Sequence, residues 1–449
     1  MGTPNPNVGL ERLYRETGWA LRQFAQEINR IGTERGTPTK YREPSVHQWL
    51  HGHMPREATR PLILEALARR LGRPITHSEA GFPSPSNQPN AVSGAMEGLI
   101  DLGREDMDPS RRSIIGAGLF SVALTVPNWR DIVGRMEYIQ TGKTQGIGMP
   151  EVNAVTAMTD RLSDLDDEFG GRYARPMAAA FLVNIVAPYL RANASGEVRN
   201  RITSTASFLC YLTGWMAVDE GLHGTAQRYY VKGLELAGAS DDYMTYCHIL
   251  RGMSVQSVDL GHGLTAVNWA DAASKVSPTA EPRMKAFMAG QQAHAYAVAG
   301  NRTRALWSIR ETEAAMSRAE SQHRTTFGGY SPATLAYHTA QVRYALGDVR
   351  GSISDLEQHF LLRKPENESH RSGMRFNAML AERQLAIGHL DEACSTWGKV
   401  LNDYPAIQSG QVDMHVAEMF QLIRPHLANS AARDLYERAR LVAPSSVPA

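Results

Sequence analysis

Histidines and polar side chains gather in one short segment, Ser45-Val46-His47-Gln48-Trp49-Leu50-His51-Gly52-His53. His47 and His51 are four positions apart, a spacing that puts two potential zinc ligands on one face of a helix. No acidic residue or cysteine stands at an offset that would complete the site, so we predict no metal. With Pro44 at its start and Gly52 at its end, the segment is predicted to be a short helix. Val46, Trp49 and Leu50 are expected to face inward, and the outward residues are Ser45, His47, Gln48 and His51.

Motifs of the common catalytic sites are absent from the sequence. It contains no P-loop, no GxSxG, no HExxH and no GxGxxG after a strand pattern. The acidic run from Asp164 to Glu168 would attract a cation, but it is more typical of a solvated helix end. We therefore predict that the protein is not an enzyme and uses no cofactor.

The charge distribution favours the N-terminal part as the binder of a polyanion. A chain of 449 residues predicts two or three domains. Residues 1–82 carry 12 Lys/Arg and 8 Asp/Glu, whereas residues 83–449 carry 35 and 38. The first part is thus net positive and the second net negative, as expected if nucleic acid binds at the front.

The cysteines and the hydropathy pattern predict a cytoplasmic protein. Cys210, Cys247 and Cys394 are far apart and odd in number, so they indicate no disulfide framework. The sequence Arg111-Arg112-Ser113, followed by an apolar run over 114–127, looks like a twin-arginine export signal. It starts more than a hundred residues into the chain and its apolar run is too short to cross a membrane. A buried connecting helix is the interpretation we prefer, with no membrane contact.

Composition divides the chain into four regions. Residues 1–82 form a helical N-terminal domain, and residues 83–94, rich in proline and polar residues, form a linker. Connecting helices are predicted over 95–149, and helix follows helix over 150–445. No sustained alternating pattern indicates a strand, so the protein is predicted to be all-α.

An internal repeat marks the C-terminal region. Five glycines end helical stretches at intervals of 40, 39, 47 and 41 residues, and each is followed five residues later by Ala or Ser. Another small residue precedes each glycine by seven positions. Antiparallel helices approach closely only where the facing side chains are small, and the turn between them favours glycine. The glycines are Gly221, Gly261, Gly300, Gly347 and Gly388, and the preceding small residues are Gly214, Ser254, Ala293, Ala340 and Ala381.

This pattern resembles the tetratricopeptide repeat over about residues 205–405. The resemblance implies an α-solenoid of helix pairs, with units longer than the usual ~34 residues and flanking pairs at 150–200 and 410–445. An irregular helical bundle with chance glycines is the alternative.

The N-terminal domain resembles the XRE, or lambda-repressor-like, helix-turn-helix family. Phe24 and Ala25 lie on a predicted apolar helix face with Leu21 and Ile28, which matches the first helix of the motif. The segment from Val46 to Gly52 matches the second helix, and Pro55 then precedes a helix rich in Ala and Leu. The family places the second helix in the major groove of DNA. The resemblance therefore implies double-stranded DNA as a partner, with contacts from Arg22, Gln23, Lys40, Arg42, Ser45, His47, Gln48, His51 and Arg56.

A long turn departs from the family pattern. Residues 32–43 replace a turn of three or four residues, and they would either act as a basic wing along DNA or disturb the docking geometry. Similar turns occur in actinobacterial regulators that combine such a domain with a tetratricopeptide-like one, and the whole chain resembles that group.

The resemblance to tetratricopeptide proteins also implies a concave groove lined by the first helix of each unit. Peptide-sensing regulators of the RRNPP group use such a groove, so a peptide, a small signal or a protein partner is expected there, with a homodimer on DNA. The alternative is a protein-interaction scaffold without DNA binding. The implied groove residues are Tyr211, Trp215, Asp219, Arg251, His294, Tyr337, Gln341, Tyr344, Arg375 and Glu382.

Overall fold

A computed structural model gives the fold. It describes residues 7–34, 38–71, 75, 77, 79–83, 94–107, 146–276, 280–319, 330–363 and 370–444. Within these ranges all regular secondary structure is helical, which confirms the predicted all-α class. The predicted linker lies outside the described residues except at its two ends, and so do the twin-arginine-like segment and most of the predicted connecting helices.

Among the described residues of the N-terminal region, four α-helices pack together. Their apolar faces meet in one core, in which Leu10, Phe24, Ile28 and Ile63 are completely buried. The first helix carries two of the core leucines, although its sequence had not been singled out as an element. The helices are α1 (Val8–Thr17), α2 (Leu21–Glu34), α3 (Glu43–Leu50) and α4 (Arg60–Leu71).

The solenoid starts with an irregular pair. Pro176 lies inside the second helix of this pair, and a wider turn over Leu182–Val186 follows it. An additional helix before the pair packs against it through Leu99 and Leu102. These elements are α5 (Gly94–Met107), α6 (Met149–Phe169), α7 (Gly171–Phe181) and α8 (Ala187–Arg191).

Regular antiparallel pairs follow, and consecutive pairs stack on one another. The first helix of each pair lies beside the first helix of the next. The pairs are α9 (Gly196–Asp219) with α10 (His223–Ala239), α11 (Tyr243–Asp259) with α12 (Gly263–Val276), α13 (Pro282–Val298) with α14 (Arg302–Ser317), α15 (Pro332–Ala345) with α16 (Val349–Leu362), α17 (His370–Ala386) with α18 (Leu390–Asp403), and α19 (Gly410–Ile423) with α20 (Ser430–Val442).

Each of the five repeat glycines lies in the turn within a pair, as predicted. All five have φ between +74° and +87°, the left-handed conformation that costs glycine least. The Leu222 amide donates to the Ala217 carbonyl at 2.8 Å and the Gly221 amide to the Val218 carbonyl at 2.9 Å. The other four turns repeat this double bond, which satisfies the free carbonyls at the end of the first helix.

The small residues are the points of contact between paired helices. A side chain at Gly214 would start 2.7 Å from the ring of Tyr230, so only glycine fits there. The Ser254 hydroxyl donates to the Ala266 carbonyl at 2.8 Å, and the Ser352 hydroxyl to the Ala340 carbonyl at 2.7 Å. Close helix approach at these positions explains the spacing found in the sequence.

The last pairs return to the first, which the sequence did not predict. Arg371 of α17 forms salt bridges with Asp166 of α6 at 2.7 Å and with Asp219 of α9 at 3.3 Å. The backbone amide of Gln408 donates to the Phe169 carbonyl at 2.7 Å, and the Ser409 hydroxyl donates to the Asp219 carboxylate at 2.7 Å. We call these six residues the seam, because they join the two ends of the superhelix.

A search of the described residues for a helix long and apolar enough to cross a bilayer finds none.

Candidate functional sites: the α3 face and the solenoid interior

Trp49 fixes the orientation of α3. Its side chain is buried, and its ring meets the ring of Tyr41 edge to face with centroids 4.9 Å apart. The Tyr41 hydroxyl lies 2.7 Å from the Thr59 hydroxyl, which ties the start of α3 to the segment before α4. Val46 is also buried, so the inward side of the helix is the side expected from the sequence.

The opposite side of α3 faces solvent. His47, Gln48 and His51 are exposed and Ser45 is half-buried. The two imidazole rings stack with centroids 3.9 Å apart, and His51 Nδ1 lies 2.8 Å from the His47 carbonyl oxygen. Among the described residues no cluster suited to a metal ion is found. The helix thus presents hydrogen-bonding groups on an accessible face.

Basic residues lie on the elements around α3. Arg22, Lys40, Arg42 and Arg56 are exposed, and none of them forms a salt bridge with a described residue. Gln23 is exposed too, but its side-chain oxygen accepts the Ala20 amide at 2.9 Å and so caps the start of α2. Unpaired exposed cations are the groups that bind phosphates in a nucleic-acid interface.

The long turn is shorter than the sequence indicated, because α2 continues to Glu34. Asn29 anchors its far end: the side-chain oxygen accepts from the Tyr41 amide at 2.8 Å and from the Thr39 hydroxyl at 2.9 Å, and the amide nitrogen donates to the Tyr41 carbonyl at 2.8 Å. Residues 35–37 lie outside the described residues. Asn29 was not predicted; the only signal for it is a polar residue directly after Ile28 on the core side of the helix.

The second candidate site is the interior of the solenoid, where the first helices of the pairs lie side by side. Tyr211, His294 and Gln341 are buried, and Trp215, Arg251, Tyr337 and Arg375 are half-buried. Residues of different pairs are close enough to shift one another's pKa. Tyr211 and Tyr337 act to raise the pKa of Arg251, and the charge of Arg375 acts to lower that of His294. The structure therefore brings residues of α9, α11, α13, α15 and α17 into one region.

Arg251 is the centre of this region. Its guanidinium carbon lies 3.7 Å from the centroid of the Phe287 ring. The Tyr211 ring stands edge-on to His248, with centroids 4.6 Å apart, and His248 in turn lies 5.3 Å from Phe287. Burial is the main cause that lowers the pKa of Arg251, against the favourable effect of the surrounding tyrosines.

Other predicted groove residues take part in contacts between helices. Arg375 bonds Asp259 at 3.2 Å, and Glu382 accepts from His415 at 2.7 Å. Tyr344 is exposed, with the Arg383 guanidinium carbon 4.2 Å from its ring centroid. Gln341 also bonds Arg383, whereas Asp219 is part of the seam.

Several residues of the interior were missed from the sequence. Phe287, Tyr330 and His338 stack in or beside the Arg251 region, and Arg383 donates to the Ser352 hydroxyl at 2.6 Å. The groove residues were chosen from the tetratricopeptide positions that lie on one face of each first helix, so residues at the edge of that face were not included. The sequence does contain a signal, because His248, His294 and His338 and several tyrosines recur on the first helices of the pairs.

Comparison with known proteins adds one finding. No curated protein matches the chain. Residues 10–83 match the family model described as the SP15 N-terminal domain. The matched range corresponds to the four-helix unit, and the N-terminal domain of this chain is therefore similar to the SP15 N-terminal domain.

Proposed function

We propose that the protein is a sequence-specific DNA-binding transcriptional regulator whose affinity for DNA is controlled by a ligand inside the tetratricopeptide-like solenoid. The observation that carries the proposal is the α3 face: Trp49 is buried, and Ser45, His47, Gln48 and His51 occupy the accessible side. An exposed short helix of this kind fits the width of the major groove.

The surroundings of α3 support the same proposal. Gln48 offers the paired donor and acceptor that recognise adenine, while the exposed arginines and Lys40 bind phosphates on either side. The anchoring of Tyr41 by Asn29 holds the long turn close to α3, so its basic residues follow the groove edge. One such domain covers a half-site, and two copies on a palindrome complete the operator.

Ligand control follows from linkage. A ligand in the interior alters DNA affinity only if it binds two arrangements of the solenoid with different affinities. Those arrangements differ in the spacing of the two DNA-binding domains of a dimer. Binding in the interior and binding to the operator are then coupled reciprocally.

The experiment selects a binding sequence from random duplexes with the full chain and then measures its affinity by fluorescence anisotropy. The double variant His47→Ala/Gln48→Ala is expected to lose about tenfold or more in affinity, because bidentate base contacts contribute about 1–3 kcal/mol. Arg161→Ala, on an exposed face of α6, is the matched control and should leave affinity unchanged.

Salt dependence separates this proposal from its rival, a tetratricopeptide-type scaffold that binds only proteins. A regulator loses affinity steeply as salt rises, since phosphate contacts release counterions. If no duplex is enriched by selection, or the double variant binds as well as the unmodified chain, the α3 face is not the DNA reader and the scaffold is favoured.

A further inference from the structure

Arg251 is a half-buried cation that lacks a counter-charge among the described residues. Its Nε atom is buried and has no hydrogen-bond partner there, and no salt bridge to a described carboxylate forms. The face of Phe287 and the hydroxyl of Tyr211 are its neighbours instead. A buried donor of a charged group that lacks a partner costs more than a paired one, and an incoming acceptor would remove that cost.

A second unsatisfied group lies beside it. The Tyr230 hydroxyl is also buried without a hydrogen-bond partner among the described residues. It is placed 3.6 Å from where a side chain at Gly252, the neighbour of Arg251, would begin. Arg251 and Tyr230 therefore present two unused donors in the same part of the interior.

The surrounding charge favours an anion. Burial is the main cause that lowers the pKa of His294 to about 3, and the positive charges of Arg375, Arg383 and Arg251 lower it further. Arg375 is paired with Asp259, whereas Arg383 has only neutral partners among the described residues. Arg251 and Arg383 thus have no paired carboxylate among the described residues, so an incoming negative charge would be stabilised by them.

The width of the interior limits what can enter. Arg375 and Asp259 are 116 residues apart in sequence, on α17 and α11, yet their side chains bond directly at 3.2 Å. The salt bridge crosses the interior from the fifth regular first helix to the second. An extended peptide cannot pass between these two side chains, so the occupant beside Arg251 is compact.

We infer that the solenoid interior binds a compact organic anion, a carboxylate or phosphate attached to an aromatic or other apolar group. Arg251 Nε and the Tyr230 hydroxyl donate to the anionic group, and Phe287, Tyr211 and Tyr330 contact the apolar part. The inference rests on the proposed function in one respect, because it identifies this anion as the ligand that controls DNA affinity.

Isothermal titration calorimetry of the full chain, without DNA, tests the site with three probes. Phenyl phosphate and phenylacetate are expected to bind, with the tighter of the two identifying the anionic group, and benzylamine is not. Arg251→Met should raise the Kd for the anions by about tenfold or more, since a charge-assisted hydrogen bond is lost. Tyr230→Phe should raise it less. Arg310→Met, on the exposed side of α14, is the matched control.

Two results overturn the inference: neither anion binds, or the anions bind Arg251→Met and Tyr230→Phe as tightly as the unmodified chain. The Tyr230 variant removes one oxygen, so it keeps the test decisive if Arg251→Met does not fold. DNA affinity of the same preparations is measured separately. Anion binding without any DNA binding would retain this site and refute the proposed function, and DNA binding without anion binding would do the reverse.

Discussion

Three buried imidazoles, those of His248, His294 and His338, line the interior beside Arg251. Burial and the nearby positive charge lower the pKa of His248 and of His294 to about 3, and that of His338 is lowered as well. All three are therefore neutral in the folded protein at neutral pH. His338 uses its ring nitrogen to bond the Tyr330 hydroxyl at 2.9 Å.

Acid should destabilise the fold through these histidines. Their folded pKa is depressed below the unfolded value of 6.5, so the stability they contribute is complete above pH 6.5 and is lost as pH falls toward 3. We expect His248→Phe, which keeps a ring against Phe287, to lose less stability between pH 7 and pH 5 than the unmodified chain, by about 2 kcal/mol. Urea unfolding at the two pH values measures the difference.

Because both proteins keep every other titrating group, the comparison isolates the imidazole. An equal loss in the two chains would show that His248 takes up its proton at the same pH in the folded and unfolded states, and so that its pKa is not depressed.

At the scale of the element, the turn glycines and the small residues determine how each pair forms. A glycine with positive φ ends the first helix, and a small residue seven positions before it lets the second helix approach. These requirements are local, and for that reason they were visible in the sequence. The first helix, α1, was not, because its few apolar positions resemble those of any amphipathic segment.

Two glycines offer a matched test of the turn. A side chain at Gly300 or at Gly196 would meet nothing within 4 Å, but only Gly300 has positive φ, at +78°. Gly300→Ala should therefore lower the free energy of unfolding by about 1–2 kcal/mol through backbone strain alone. Gly196→Ala, in the first turn of α9, should leave it unchanged or raise it by about 0.5–1 kcal/mol. Urea denaturation of both variants checks this, and equal effects would refute the role of the turn conformation.

At the scale of the whole molecule, the seam converts a row of pairs into a connected structure. Arg371 bridges the buried carboxylates of Asp166 and Asp219, and burial raises the pKa of Asp166 to about 7 even though Arg371 opposes this shift. Removal of the guanidinium would leave two buried carboxylates without a cation, a change that is more costly than loss of an exposed salt bridge.

Arg371→Met should consequently destabilise the protein by about 3–5 kcal/mol and open the superhelix. Urea unfolding measures the first effect, and an increased radius of gyration in small-angle X-ray scattering measures the second. Arg161→Met, which removes an exposed salt bridge on α6, is the control and should change both quantities little. Should the Arg371 variant scatter as the unmodified chain does, the seam does not hold the ends together.

The parts that sequence reasoning missed are those that depend on distant residues. The inward face of α3 follows from periodicity, and the burial of Val46, Trp49 and Leu50 confirms it. The family offsets also select Arg251, whose place in a ligand-binding groove stays a prediction. The Arg371–Asp166 bond joins residues 205 positions apart, and no local pattern announces it. The stacking of Arg251 on Phe287 is similar, since it depends on how one pair rotates against the next.

A closed superhelix also constrains how such a protein can change in length. Open arrays gain or lose a unit at little cost, because each unit touches only its neighbours. Here an additional or missing hairpin would shift Arg371 away from Asp166 and Asp219. The three side chains would then be buried without the partners that now pair with them. Duplication or deletion of a single hairpin is therefore disfavoured in this chain, and variation in size is confined to the loops.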